Sequence, residues 1–165
     1  MTTPLPLAII DLDGVVADVR HRLHHLEVRP KDWDAFFAAA GDDDAHPEGL
    51  AIVETLGKDH EIVFLTGRPA HLRGATLEWL DRHGLGGHRL IMRSERDRRP
   101  ASVVKLELLE DLARERPIGV VVDDDPGVLD AARRAGYPVF VADWEARTAE
   151  STRALRDAQG SEGRT

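Results

Sequence analysis

Five short apolar runs cross the chain, and each ends at polar residues: LAIIDLDG from Leu7, EIVFLTGRP from Glu61, HRLIMR from His88, PIGVVVDDDPG from Pro117 and YPVFVADW from Tyr137. Runs this short, rich in Val and Ile and without strict alternation, match strands covered on both faces. Between them the spacing becomes helical. Leu72, Thr76, Trp79, Leu80 and His83 share a face before HGLGG, and Val104, Leu108 and Leu112 share one after Pro100. Strands alternating with helices require right-handed crossovers. The pattern therefore predicts an α/β, doubly wound domain with a mostly parallel sheet of about five strands.

One segment breaks the alternation. Residues 15–47 separate the first strand from the next helix by more than a usual connection. They carry two short helical patterns, VRHRLHHL and KDWDAFFAAA, the second with Trp33, Phe36 and Phe37. This predicts a small cap over the sheet edge. Trp33 has the chemistry to stack on a base, but beside two phenylalanines it reads better as the core of a small helix. His21, His24 and His25 read as a solvated helix face. Residues 1–144 are expected to form one domain, and 145–165 a helix with a frayed end.

The chain has no cysteine, so a metal would be held by oxygen ligands or histidine. No apolar stretch approaches a membrane span, and the start lacks the basic and apolar regions of a leader, so a cytoplasmic location is expected. The net charge of −8 argues against a broad nucleic-acid surface. Against it stands one basic strip. Arg89, Arg93, Arg96, Arg98, Arg99 and Lys105 face only Glu95 and Asp97 there, a local +4 that can receive a phosphate.

Ligands of open parallel sheets sit beyond the carboxyl ends of the strands. The first run ends in Asp11 and Asp13, the second in Thr66, Gly67 and Arg68, and the fourth in Asp123, Asp124 and Asp125, while Lys105 lies near a helix start. Each cluster alone is an ordinary turn or helix start. Together they are acids, a hydroxyl and cations converging on one crevice. Crowded carboxylates at a buried sheet end need a neutralising charge, and Mg²⁺, which takes oxygen ligands and bridges carboxylates to phosphates, supplies it. One Asp could then attack phosphorus while another moves a proton.

In order and spacing, DLDG, LTGR, VVK and VVDDD resemble the motifs of the haloacid dehalogenase superfamily, whose sheet is Rossmann-like with a layer of helices on either face. The resemblance runs from about Leu7 to Trp144. It implies that Asp11 is the nucleophile and Asp13 the general acid and base. It also implies that Thr66 and Lys105 hold phosphoryl oxygens, and that Asp11, Asp123, Asp124 and the carbonyl near Asp13 serve Mg²⁺. An Asp at position 13 suits phosphatases and phosphomutases rather than the ATPase branch.

A narrower resemblance concerns GRP, MRSERDRRPASVVKLELLE and VDDDPGVLDAARRAGYPVFVADW, which are similar to the 3′-phosphatase domains of phage polynucleotide kinase-phosphatases. It implies substrate contacts from Gly67, Arg68 and Arg99, with a nucleic-acid 3′ end or a nucleotide as the phosphorylated partner. Arg93, Arg96 and Arg98 read as surface charges. No GxxxxGKS/T loop is present, so phosphorylation by ATP is not expected of these residues. A nucleotidase or small-metabolite phosphatase keeps the same chemistry, and a noncatalytic binding module is the reading from another class. Oligomeric state is not legible.

Overall fold

The computed structural model describes residues 2–145. The expected tail helix, apart from Glu145, lies outside them. The five expected strands are β1 (Leu7–Ile10), β4 (Glu61–Pro69), β5 (Arg89–Arg93), β6 (Ile118–Asp123) and β7 (Val139–Val141). They form one sheet in the order β5-β4-β1-β6-β7, with every pairing parallel. From β1 the chain winds outward one way through β4 and β5, then returns to the other side of β1 with β6 and β7. Strand order therefore reverses between β1 and β6.

Strand β1 shows why the runs are apolar throughout. Successive side chains of a strand point to opposite faces. Ala8 and Ile10 pack with Phe64, Val53, Trp79 and Leu80 on one face, and Leu7 and Ile9 pack with Val63, Leu65, Leu109 and Leu112 on the other. The first cluster draws on helices α3 (Pro47–Leu56) and α4 (Arg73–Arg82), and the second on α5 (Ala101–Glu115) and α6 (Pro126–Arg134). Two helical layers on a parallel sheet make the three-layer architecture. Asp125 caps α6, its Oδ1 accepting from the Gly127 N–H at 2.8 Å.

The insertion after β1 is a real cap with its own core. Two-residue strands β2 (Ala17–Asp18) and β3 (Asp44–Ala45) pair antiparallel and close its base. Above them, α1 (His24–Glu27) and α2 (Trp33–Ala38) bury Leu23, Leu26, Trp33, Phe36 and Phe37 together. Trp33 stacks on Phe37 and meets Phe36 edge-on, so its ring is core rather than a platform for a base. The chain leaves the cap at His46, whose N–H donates to Val16 O at 2.8 Å. Next comes Gly49 of α3, where a Cβ would sit 2.3 Å from Val15 O. Only glycine lets this helix lie so close to the loop after β1.

Trp79 joins cap and sheet. Its ring is fully buried among the α4-side core, and its Nε1 donates to Asp43 O at 2.9 Å. Trp79→Ala should destabilise the fold by about 3–5 kcal/mol, and Trp79→Phe, which keeps most of the packing, should lose much less. Urea unfolding of the two variants checks this.

Candidate active site

At the reversal point, the end of β1 faces the end of β6. Asp11 stands just beyond Ile10 with its N–H donating to Val122 O at 3.0 Å, so the backbone of one strand fixes the position of the other. Asp11, Asp123 and Asp124 are all buried, and one oxygen from each lies within 4.8 Å of the others. Among the described residues a single cationic side chain reaches them. Lys105 Nζ donates to Asp123 Oδ2 at 2.7 Å and lies 3.1 Å from Asp11 Oδ1. It sits one turn inside α5 rather than at its start, on the buried face with Ala101, Leu109 and Leu112.

The charges do not balance. At about 4 Å and an effective dielectric near 20, each like-charged pair costs about 4 kcal/mol. Three carboxyl groups share one ammonium, which touches Asp11 and Asp123 and attracts Asp124 from farther off, and burial adds to the cost of ionising them. Burial first, then Asp123, push the Asp11 carboxyl up to about 8 despite Lys105. Burial, then Asp11, raise Asp124 well above the ordinary carboxylate value. Burial also opposes the Lys105 charge, yet Asp11 and Asp123 outweigh it and hold the ammonium charged.

Two oxygens in this group, Asp11 Oδ2 and Asp124 Oδ1, are buried without a hydrogen-bond partner among the described residues. Buried polar atoms are nearly always satisfied. Two surplus negative charges and two unsatisfied hard oxygens at one point fit a divalent cation with oxygen ligands. Gly14 keeps the point open. Its φ of +82° carries the chain away from β1, and a Cβ there would lie 2.3 Å from Asp124 Oδ2.

Asp13 belongs to a different set. Its Oδ1 accepts from Arg22 Nη2 at 2.9 Å and from Arg68 Nε and Nη2 at 3.0 and 2.5 Å. Asp43 completes the group, accepting from Arg22 Nε and Nη2 at 2.8 and 2.7 Å and from Arg68 Nη2 at 3.3 Å. Two acids and two arginines, all buried, are neutral together. Burial works to raise the Asp13 carboxyl, but Arg68 and Arg22 overcome it and hold Asp13 well below the usual range. Asp13 is thus a carboxylate here, the charge state of a base.

Thr66, Gly67 and Arg68 form the last part of β4, with Thr66 beside the end of β1. Thr66 Oγ1 accepts from the Arg68 N–H at 3.1 Å, which leaves the hydroxyl hydrogen for a ligand. Arg68 is held by two acids, Asp13 and Asp43. Arg99 is not brought to the crevice at all. It is about half exposed, clasped by Asp97 and Glu107 through four side-chain hydrogen bonds of 2.6–3.0 Å.

Arg93 departs from its expected place on the surface. It is buried, its Nε donating to Gly67 O at 3.2 Å and its Nη1 to Asp97 O and Arg99 O at 3.2 and 2.8 Å. The turn after β5 folds back and uses this guanidinium as a bracket. Sequence reasoning also missed Arg22 and Asp43. Arg22 lies in a run of Arg and His that reads as a solvated face, and Asp43 in an acidic turn. The one available signal was the excess of acids at the strand ends. His21 was read as a solvated residue and in fact reaches Asp43 Oδ1 at 2.7 Å. Glu145 Oε1 accepts from the Val19 N–H at 3.0 Å and meets His46 Nε2 at 3.0 Å, fastening the loop after β1.

The sequence matches the family described as the polynucleotide kinase PNKP phosphatase domain over residues 6–144. The chain belongs to that family. This phosphatase domain is also similar to a chain of the Pnkp1/Rnl/Hen1 RNA repair complex, with a TM-score of 0.70, 23% identity, and coverage of 83% of this chain and 42% of that one. A haloacid dehalogenase-like hydrolase from Streptococcus pneumoniae superposes with a TM-score of 0.59 at 10% identity, covering 83% and 84% of the two chains. A HAD-superfamily hydrolase from Geobacter sulfurreducens gives 0.51 at 17% identity, covering 83% and 86%. No curated protein matches the sequence. This phosphatase domain spans less than half the length of the RNA repair chain. No helix among the described residues is long and apolar enough to cross a membrane.

Removing one member of the neutral quartet leaves a buried charge unpaired. Arg22→Met should cost about 3–5 kcal/mol, whereas Arg22→Met with Asp43→Leu, which removes one charge of each sign, should recover most of that loss. Chemical denaturation of the single and double variants measures both.

Proposed function

We propose that the chain is a Mg²⁺-dependent phosphomonoesterase that works through an aspartyl-phosphate and acts on nucleic-acid 3′-phosphate ends. The observation that carries the chemistry is the buried trio of Asp11, Asp123 and Asp124, with two oxygens unsatisfied and Lys105 alone against it among the described residues. Those three side chains, with the carbonyl of Asp13, would hold the cation. When bound, it offsets the carboxylate charge and draws electron density from a phosphate oxygen.

The residues divide the reaction between them. An Asp11 carboxylate oxygen forms a bond to phosphorus as the bond to the leaving alcohol oxygen breaks, and that oxygen takes a proton from Asp13. Water then attacks the aspartyl-phosphate, gives its proton to Asp13 and regenerates Asp11 with release of inorganic phosphate. Thr66 and Lys105 hold the phosphoryl oxygens, and Gly67 leaves room for the approach. The second half suits Asp13 as it stands, a carboxylate between Arg22 and Arg68. The first half needs it protonated. An entering phosphate competes for both guanidinium groups, and as they turn to it Asp13 is released to carry the proton.

The 3′-end assignment is supported by the family match and by the RNA repair setting of one structural relative. The net charge of −8 favours a second reading, a free nucleotide or another small phosphomonoester. Arg99, clasped by two acids, is assigned to substrate only if a ligand displaces Asp97 or Glu107.

Phosphate release from a 3′-phosphorylated oligonucleotide, a 5′-phosphorylated one, mononucleotides and an aryl phosphate separates the readings. The account expects preference for the first, lost with EDTA and in Asp11→Asn. Turnover of small phosphates alone would move the assignment to the second reading. Metal binding has its own readout. Mg²⁺ at 100 times its Kd should stabilise the fold by about 2.7 kcal/mol, and Asp124→Asn should abolish most of that shift in Tm.

A further inference from the structure

Next to the catalytic crevice, between α2 of the cap and the carboxyl ends of β4 and β5, lies an open cavity of about 100 Å³. Phe37 and Pro69 give it flat apolar walls, and Arg93 lines it. Pro69 follows Thr66 by three residues, at most about 10 Å of chain and a distance one nucleotide can bridge, and the strand bulges between them so that they pair with the adjacent Met92 and Arg93 of β5. A closed cavity of about 150 Å³ admits benzene, so an open space of this size suits the edge of a single planar ring system.

Arg93 is the unusual part of the wall. It is 3% exposed, and three backbone carbonyls hold its Nε and Nη1 in place, yet its Nη2 is buried without an acceptor among the described residues. Burial, the leading cause, lowers its pKa from the ordinary arginine value. A rigid guanidinium with an unused donor on the wall of a cavity is matched by a ligand that brings an acceptor oxygen or ring nitrogen.

The remaining charges select the kind of ligand. Glu95 accepts from His71 N at 3.0 Å and meets its Nδ1 at 2.6 Å, Asp97 is clasped by Arg99, and Asp34 and Arg98 stand at the rim. A phosphodiester placed here would meet three carboxylates against the two guanidinium groups of Arg93 and Arg98, a lining with more negative than positive charge. An uncharged heteroaromatic ring meets no such repulsion, and it can use donors and acceptors on the same wall.

We propose that this cavity is a nucleobase subsite: the base of the nucleotide whose 3′-phosphate lies at Asp11 packs against Phe37 and accepts a hydrogen bond from Arg93 Nη2. This rests on the reading that the substrate is a nucleotide or polynucleotide 3′-phosphate. Arg93 selects the leaving group and takes no part in the chemical step.

The test is calorimetric binding of two ligands to the Asp11→Asn protein in Mg²⁺, which does not depend on turnover. The ligands are thymidine 3′-phosphate and the same sugar 3′-phosphate with hydrogen in place of the base. The base should tighten binding at least about tenfold, the lower part of the range for one stacked base. Adding Arg93→Gln should remove that advantage and leave the abasic ligand unchanged. Should Arg93→Gln unfold the turn after β5, Asp34→Trp, which fills the mouth from the exposed rim, should remove the same advantage. Equal affinity for both ligands, an advantage that survives both variants, or no binding of either ligand would overturn the proposal. Phosphate release from the same two compounds by the unmodified protein tests the catalytic reading separately.

Discussion

Three carboxylates and one ammonium, buried together where strand order reverses, set the terms for the rest of the molecule. Parallel pairing of β1 and β6 brings Asp11 against Asp123 and Asp124, and α5 delivers Lys105 between them. The sheet could not be assembled differently without separating these groups. Burial together with their mutual repulsion outweighs what Lys105 returns, and a divalent cation is the counter-charge that fits both the crowded carboxyls and the unsatisfied oxygens. The cost built into this corner is what the proposed role of Asp11 draws on, since a carboxylate relieved of its neighbours' charge would be free to attack.

The second buried group is neutral by itself, and its members come from three places. Asp13 follows β1, Arg68 lies one residue before the end of β4, and Arg22 and Asp43 belong to the cap. The Arg22 guanidinium also lies 4.2 Å over the Phe36 ring, in the cap's own core. Folding of the cap and placement of Asp13 are thus one event. A small cap with only six principal core residues need not hold its position alone, because the ion-pair network ties it to two strand ends.

Much of this was legible in the sequence, for a clear reason. Strands buried on both faces leave unmistakable apolar runs, and their polar ends mark the crevice, so Asp11, Asp13, Thr66, Lys105, Asp123 and Asp124 could be gathered before any coordinates. Arg22, Asp43 and Arg93 could not. An arginine buried by a carboxylate 21 residues away, as Arg22 is by Asp43, has the same local sequence as a solvated one, because nothing in its neighbours' spacing records the partner. Arg99 shows the reverse case. Its place before the motif lysine resembles a substrate contact, and in this structure Asp97 and Glu107 on the adjacent turn and helix hold it locally.

The claim that everything else serves is covalent: Asp11 carries the phosphoryl group between substrate and water. Acid quenching of the protein during turnover of a 3′-phosphorylated oligonucleotide in Mg²⁺, followed by peptide mass spectrometry, reads it directly. The account predicts one added phosphoryl group on Asp11, absent with EDTA and discharged when substrate is exhausted. Rapid phosphate release with Asp11 unmodified throughout, or the phosphoryl group on another side chain, would contradict it.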